Sequence, residues 1–225
     1  MPLTHDVTHA EVLVPALTRR GEPLDLPGRL SLPEAAVGLV VFAHGSGSSR
    51  HSPRNQFVAS VLHESWIGTL LFDLLTVQEA DERANVFDIN FLSDRLGSAL
   101  RFVMGHDQTA RLPLGLFGAS TGAAAALVAA AEEPRVRVVV SRGGRPDLAG
   151  PWLERVQAAT LLIVGSRDED VLMLSREAAS RLHCEHRLAV VPGATHLFEE
   201  RGTLDEAARL AAEWFAQRLT KEVRP

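Results

Sequence analysis

The chain has 225 residues, of which 46% are hydrophobic and 23% charged, with a formal net charge of −5 at pH 7. This composition is typical of a globular protein large enough to bury a substantial core. The mild acidity gives no support for a nucleic-acid partner, which would favour a basic face. No apolar run approaches the ~20 residues that cross a bilayer, so we expect no membrane insertion.

Cysteine content and the N-terminal segment indicate the compartment. Cys184 is the single cysteine of the sequence, which excludes an internal disulfide framework and fits a reducing environment. The segment from Met1 to Glu11 has no apolar core, so it does not read as a signal peptide. We therefore expect a cytoplasmic protein.

Strand-like and helix-like segments alternate along the chain. The predicted strands cover residues 11–15, 24–32, 38–43, 68–73, 114–117, 136–141, 160–164 and 186–191. We expect the first two to be short strands at an edge. The first predicted helix begins at Pro53, and a polar connection is predicted at 78–85. The later helices are predicted at about 88–104, 123–131, 151–156, 169–182 and 203–219. This alternation predicts one α/β domain over residues 1–225. Its central sheet would be mostly parallel, with about 7–8 strands and helices on both faces.

A G-x-S-x-G pattern, Gly118-Ala119-Ser120-Thr121-Gly122, lies between a predicted strand and an alanine-rich helix. This is the sequence motif of a nucleophile elbow, in which a serine occupies a strained strand-to-helix turn. Glycines flank the serine because the turn leaves no room for side chains there. Ser120 is thus a candidate nucleophile. The alternative is a tight turn in which Ser120 caps the helix.

Two further candidates directly follow predicted strands. In open parallel sheets the chemistry lies beyond the carboxyl ends of the strands. Asp168 follows the strand at 160–164 and can orient an imidazole, and His196 follows the last strand. Asp168 could instead cap the helix after it, and Asp170 is a rival carboxylate in the first helical turn. The chain order Ser…Asp…His is the order of α/β-hydrolases.

Together these motifs resemble the α/β-hydrolase superfamily and its dienelactone-hydrolase-like branch. The resemblance runs from about residue 37 to residue 217. It is carried by residues 42–55 and 72–76, by the elbow, and by the segments ending at Val171 and His196. The sequence looks most similar to uncharacterised bacterial hydrolases that are sometimes fused to phosphoribosyltransferases. The resemblance implies a Ser120 nucleophile, an Asp168 orienter and a His196 base. True dienelactone hydrolases carry cysteine at the elbow, so their substrate does not transfer to this chain.

The Gly/Ser loop at residues 44–49 is the expected oxyanion loop. By the same resemblance, the backbone N–H groups of Ser46 and Thr121 bind the oxyanion, with Gly47 as the alternative to Ser46. Glycines fit this role because the backbone must approach the substrate oxygen to about 3 Å. The loop could instead cradle a phosphate, but it lacks the lysine and the spacing of a P-loop.

Five basic or potentially basic residues follow the strands at 38–43 and 136–141. They are Arg50, His51, Arg54, Arg142 and Arg145. Side chains of this kind near a site can bind a carboxylate or phosphate of a substrate, which would favour an anionic ester. The alternative is that they form rim ion pairs with the acids at residues 79–82.

The short, glycine-containing connection at residues 141–151 leaves no room for an inserted lid domain. We therefore expect an open site whose walls come from residues about 46–55, 75–88, 143–150 and 197–201. No cofactor is expected. No metal is expected either, since His183-Cys184-Glu185-His186 fits no common zinc spacing.

The sequence thus favours a carboxylesterase-like serine hydrolase that cleaves a small carboxylic ester, thioester or lactone through an acyl-enzyme on Ser120. Two alternatives remain open: a serine peptidase or amidase, and a non-catalytic binding module with the same fold. The expected partner is a small-molecule ester. Self-association into a homo-oligomer also stays open.

Overall fold

The protein is described by a computed structural model that covers residues 6–220. The predictions for residues 1–5, at the start of the N-terminal segment, and for residues 221–225 lie outside the described residues. Eight strands form one sheet. They are β1 (Val7–Leu17), β2 (Pro23–Pro33), β3 (Gly38–Ala43), β4 (Ile67–Phe72), β5 (Leu114–Ala119), β6 (Val136–Arg142), β7 (Ala159–Gly165) and β8 (His186–Val191).

The strand order in the sheet is β1-β2-β4-β3-β5-β6-β7-β8. The β1–β2 and β2–β4 pairs are antiparallel, and all other neighbouring pairs are parallel. The prediction of a mostly parallel sheet of seven to eight strands is therefore confirmed.

The prediction of two short edge strands at the start of the chain is wrong in two respects. β1 and β2 are 11 residues long each, and only β1 lies at the edge, because β2 pairs with β4 on its other side. The apolar pattern marked only the buried part of each strand. The hydrogen-bonded ladder continues into polar and exposed residues, since backbone pairing does not require a buried side chain.

Seven α-helices and one 3₁₀ segment lie between or after the strands within residues 6–220. The helices are α1 (Pro53–Glu64), α2 (Val77–Ala80), α3 (Arg83–Val86), α4 (Ile89–Gly105), α5 (Thr121–Glu132), α6 (Glu169–Arg181) and α7 (Thr203–Leu219), and the 3₁₀ segment is Pro146–Arg155. α4, α5, α6 and the 3₁₀ segment pack on one face of the sheet, and α1 and α7 on the other. None of these helices is long and apolar enough to cross a bilayer.

Two predicted segments differ from the structure. The expected polar connection at 78–85 contains the short helices α2 and α3. A capping box starts α2: Thr76 Oγ1 accepts from the Glu79 N–H over 3.2 Å, and the Thr76 N–H donates to Glu79 Oε2 over 2.9 Å. The helix expected at 151–156 is the second half of a longer 3₁₀ segment that is kinked at Gly150, where φ is 53°.

The central strands are buried on both faces. In β3, Leu39 and Val41 face the cluster under α4 and α5, whereas Val40 and Phe42 face α1 and α7. This period of two explains why β3 reads as a continuous apolar run. The carboxyl ends of the parallel strands lie at one edge of the sheet, and the loops that follow them form the candidate site.

Candidate active site

Ser120 lies in the turn between β5 and α5, with φ 51° and ψ −125°. A Cβ on Gly118 would lie 2.4 Å from the Ala123 Cα, and a Cβ on Gly122 would lie 2.2 Å from the Ala43 carbonyl oxygen. Both positions therefore require glycine. The Ser120 side chain makes no capping hydrogen bond to α5. The residue lines the cavity beyond the end of β5.

His196 and Asp168 are joined across two loops. The His196 Nδ1–H donates to Asp168 Oδ2 over 2.7 Å, with side-chain exposures of 40% and 13%. Asp168 precedes α6 but makes no side-chain cap there. Because the carboxylate binds Nδ1, the ring presents Nε2 to the cavity.

Backbone contacts hold the loops of Asp168 and His196 together. The Arg167 N–H donates to the Ala194 carbonyl over 2.9 Å, and the Gly193 N–H donates to Ser166 Oγ over 2.8 Å. Asp170, the rival carboxylate, is exposed in the first turn of α6. The loops therefore bring Asp168 to the imidazole and leave Asp170 at the surface.

Ser120 and His196 line the same cavity, of about 240 Å³, which we call the serine cavity. Its other walls are Gly45, Ser46, Ser48, Ser52, Arg54, Asn55, Ala119, Arg142, Gly143 and Leu197. No hydrogen bond joins the Ser120 hydroxyl to His196 within residues 6–220. Such catalytic bonds are often long in a ligand-free site and shorten when substrate binds.

The loop after β3 touches the elbow. A Cβ on Gly45 would lie 2.8 Å from the Ser120 Cβ, so the loop backbone passes directly beside the serine. No hydrogen bond from the Ser46 N–H is found within residues 6–220. The N–H of Thr121 has no intrahelical partner because Thr121 is the first residue of α5. Both N–H groups are thus available to a substrate oxygen.

His44 fixes this loop. The Leu74 N–H donates to His44 Nε2 over 3.0 Å, and His44 Nδ1 lies 3.0 Å from the Gly45 carbonyl. Since Nε2 accepts, the ring proton is on Nδ1 and points to that carbonyl. Burial lowers the pKa of His44, which favours this neutral form.

A second cavity, of about 540 Å³, is lined by the same loop after β3, the predicted oxyanion loop, and we call it the apolar cavity. Ser46, Ser48 and Thr121 line it together with apolar side chains of β2, of the segment after β4, and of α2 to α4. The walls expected at residues 46–55 and 75–88 therefore divide between two cavities.

The five predicted cations do not converge on Ser120. Arg142 and Arg54 line the serine cavity. Arg50 is ion-paired with Asp73 and lines the apolar cavity, and its N–H donates to Asp73 Oδ1 over 2.7 Å.

Two of the five do not line the serine cavity, although the Arg145 backbone N–H donates to the Ser120 carbonyl over 3.0 Å. Arg145 makes two hydrogen bonds to Asp147, of 2.8 and 2.7 Å. His51 lines a separate cavity near β1 and α1. None of the five pairs with the acids at residues 79–82, as the alternative interpretation expected. Glu79 is ion-paired with Arg95 instead, over 2.5 Å.

Sequence reasoning missed three residues that organise the site: His44, Asn55 and Asp73. The histidine of the H-G pair and the acid after β4 could have been noticed, since both directly follow strands. Asn55 gives no such signal, because it lies inside α1, 87 positions from its partner Arg142. No group of three or more His, Cys, Asp or Glu side chains within residues 6–220 is arranged to hold a metal ion.

Comparison with known proteins identifies the family, although no family model matches the chain. The crystal structure of dienelactone hydrolase from Anabaena variabilis ATCC 29413 is 48% identical with a TM-score of 0.90, over 96% of this chain and 100% of that one. Est1E from Butyrivibrio proteoclasticus, 14% identical with a TM-score of 0.77 over 94% of this chain and 99% of that one, shares the fold.

A curated relative from Mycobacterium tuberculosis (strain H37Rv) bears the name "Putative phosphoribosyl transferase". It is 58% identical over 199 residues, which are 88% of this chain and 45% of the relative. The chain thus spans about half the length of the curated relatives it matches. The similarity to dienelactone hydrolase extends over nearly the whole chain. The protein is therefore a hydrolase-type member of the dienelactone-hydrolase-like branch of the α/β-hydrolase superfamily.

Proposed function

We propose that the chain is a serine hydrolase that cleaves a small carboxylic ester, thioester or lactone through an acyl-enzyme on Ser120. One observation carries the proposal. A serine in a strained strand-to-helix turn shares a cavity with His196, whose ring is hydrogen-bonded to the Asp168 carboxylate. A nucleophile, a base and an orienting acid in this relation are what acyl transfer requires.

In the proposed first step, Ser120 Oγ forms a bond to the carbonyl carbon and its proton passes to His196 Nε2. The carbonyl electrons move to the oxygen, which becomes an oxyanion. In this proposal the N–H groups of Ser46 and Thr121 stabilise this charge as the donors of an oxyanion hole. Asp168 holds the Nδ1–H tautomer and stabilises the imidazolium.

In the next step of the proposed reaction, the bond to the leaving oxygen breaks and His196 donates its proton to that oxygen. The acyl group remains on Ser120. A water molecule then gives a proton to His196 Nε2 and attacks the acyl carbon, and Ser120 leaves with the proton returned by His196. The net reaction adds one water across the ester bond, and no cofactor or metal enters it.

The connection between β6 and the 3₁₀ segment is only three residues long, so no lid domain is inserted there. A peptidase or amidase would use the same residues, so substrate comparison must separate these reactions. The activity in the name of the mycobacterial relatives refers to proteins more than twice as long as the matched segment, and we do not assign it to this chain.

The Ser120→Ala variant tests the proposal. Removing the only group that forms the acyl-enzyme should lower kcat for p-nitrophenyl butyrate by about 10⁴-fold or more without unfolding the protein. Ser180→Ala, at an exposed serine of α6, is the matched control and should keep wild-type kcat. A folded Ser120→Ala protein that retains a tenth of the activity would show that another group is the nucleophile.

A further inference from the structure

Arg142 is a buried cation without a carboxylate partner. Its residue exposure is 7%, and no acid within residues 6–220 forms an ion pair with it. Nη2 donates weakly to Asn55 Oδ1 over 3.4 Å, while Nε and Nη1 have no hydrogen-bond partner. Its guanidinium also lies 5.8 Å from the centre of the Phe198 ring. Two of its donor atoms are therefore unused inside the protein.

An unpaired buried cation is costly, so its presence calls for a ligand. Other arginines near the site are paired with acids: Arg50 with Asp73, Arg145 with Asp147, and Arg54 with Glu199 over 3.5 Å. Arg142 instead has a second cation, Arg54, beside it. Burial and the charge of Arg54 lower the pKa of Arg142 to about 10, so it stays charged at neutral pH.

The position of Arg142 decides which ligand it meets. It ends β6, paired in register with Ala119, the residue before Ser120. Arg142, Ser120 and His196 all line the serine cavity. An anion bound there would be part of the same molecule that reacts with Ser120.

The two cavities share the predicted oxyanion loop but differ in character. Gly45, Ser46 and Ser48 line both. Leu74, Leu75, Val77, Val86 and Leu92 form the apolar wall of the apolar cavity. Its charged lining consists of the ion-paired Arg50 and Asp73 and of two further acids, Asp25 and Asp81, so it offers no unpaired cation to an anion. A substrate whose carbonyl oxygen binds at the loop thus places one substituent among apolar side chains and the other beside Arg142.

The proton transfer from His196 determines which cavity holds the leaving group and which holds the acyl chain. His196 must donate a proton to the leaving oxygen, so the leaving group lies on the side of His196. That side is the serine cavity, which contains Arg142. The acyl chain then occupies the apolar cavity.

On the basis of the proposed function of Ser120, we infer that the substrate is an ester of an apolar acyl group with a small alcohol that carries a carboxylate or phosphate, which Arg142 binds. A guanidinium presents two donors to such a group in a fixed geometry. Arg54 also lines the cavity, but it is ion-paired with Glu199 over 3.5 Å, so Arg142 is the cation left for the anion. The anion would be in the alcohol, and the acyl chain would be uncharged.

Two isomeric esters test this placement. O-butyryl glycolate carries its carboxylate in the alcohol part, and monoethyl succinate carries it in the acyl part, with the same formula and charge. We expect kcat/KM to be about 10- to 100-fold higher for O-butyryl glycolate, the factor that one or two charge-assisted hydrogen bonds supply. The compound 2-(butyryloxy)ethyl phosphate tests phosphate as the anion. The ester with the higher kcat/KM shows whether the site prefers a carboxylate or a phosphate.

The ratio of kcat/KM for the two isomers is then measured in Arg142→Met, where it should fall to about 1, and in Arg142→Lys, where it should be intermediate. Arg135→Gln removes an exposed arginine paired with Glu133 and should keep the wild-type ratio. Because the ratio is taken within one enzyme, a general loss of activity does not affect it. If Arg142→Met does not fold, the wild-type ratio and Arg142→Lys decide.

A wild-type ratio near 1 for the carboxylate isomers, with no preference for the phosphate ester over ethyl butyrate, would overturn the inference. So would a ratio that survives in Arg142→Met. Hydrolysis of ethyl butyrate that depends on Ser120 would leave the proposed function standing in either case. If all of these esters, ethyl butyrate included, were inert, the proposed function itself would fail.

Discussion

Ser120 has a positive φ that residues other than glycine rarely adopt. Such a conformation costs roughly 1–3 kcal/mol and persists only where the surroundings enforce it. Here β5, α5 and the loop after β3 meet around the serine, and the contacts of Gly118 and Gly122 leave the chain no other path. The strain holds Ser120 at the cavity, where a relaxed turn would allow it to cap α5.

Substitution of Asp168 and of Asp170 by asparagine should affect kcat very differently. Asp168→Asn should lower kcat by about 10⁴-fold, because an amide at this place favours the wrong tautomer of His196. Asp170→Asn should change kcat little, since Asp170 is exposed. Steady-state kinetics on one ester compares them, with circular dichroism as the check on folding. The reverse ranking would remove Asp168 from the mechanism.

His63 makes stability depend on pH. Burial and the nearby His9 lower the pKa of His63 from 6.5 to about 4. The unfolded chain therefore binds more protons between these values, and the free energy of unfolding falls as the pH drops from about 6.5 to about 4. After a discount for the partial exposure of the ring, we expect His63 to contribute about 1 kcal/mol of this loss between pH 7 and pH 5.

Urea unfolding of wild type and His63→Gln at the two pH values measures this contribution. The glutamine can keep the hydrogen bond to Thr69 Oγ1, which is 2.9 Å long in the wild type. His44 contributes in the same direction and is present in both proteins, so the difference isolates His63. Equal losses of stability in the two proteins would contradict the assignment.

Some residue contacts could be predicted from the sequence and others could not. The proposed triad residues each follow a strand, so chain order and the carboxyl-end rule brought them to one edge. The partners of the arginines could not be predicted, because Arg54 meets Glu199 over 3.5 Å and Arg142 meets Asn55 only once the sheet order is known. Neighbours along the chain, such as Arg145 and Asp147, carried a local signal.

At the scale of elements, replacing two helical glycines by alanine should have opposite effects on stability. Gly122→Ala should destabilise the fold strongly or displace α5 from β3, because its Cβ would meet the Ala43 carbonyl oxygen at 2.2 Å. Gly97→Ala, inside α4, would meet only the end of the Arg101 side chain at 3.5 Å. It should stabilise the protein by about 0.5–1 kcal/mol, since alanine loses less backbone entropy in a helix.

Thermal unfolding of the two variants tests this contrast, and wild type is the reference. A Gly122→Ala protein as stable as wild type would show that the contact between α5 and β3 is looser than described. Destabilisation by Gly97→Ala would mean that α4 has no room for a methyl group at this position.

The boundaries of elements show what periodicity detects. The start of α7 and its end at Leu219 were predicted to the residue, because its apolar stripe covers the whole helix. The helix α2 was missed, although Thr76 and Glu79 are spaced as a capping box. With 4 residues, α2 is too short for a periodic stripe, and only its cap could have revealed it.

At the scale of the whole molecule, the serine cavity is basic although the protein is acidic overall. The chain carries a net charge of −5, yet the serine cavity holds Arg54 and Arg142. The long-range field of an acidic protein does not attract an anion, so recognition would depend on contact inside the cavity. This replaces the expectation of a five-residue basic cluster, because Arg50 and Arg145 pair with acids and His51 lines a separate cavity.

The central claim is that Ser120 is the nucleophile, and covalent labelling tests it most directly. A fluorophosphonate probe should react with the wild-type protein, and peptide mass spectrometry should find one adduct, on the peptide that contains Ser120. His196→Ala should label far more slowly, because the serine then has no base. A wild-type protein that stays unlabelled, or an adduct on another residue while Ser120 remains free, would contradict the account.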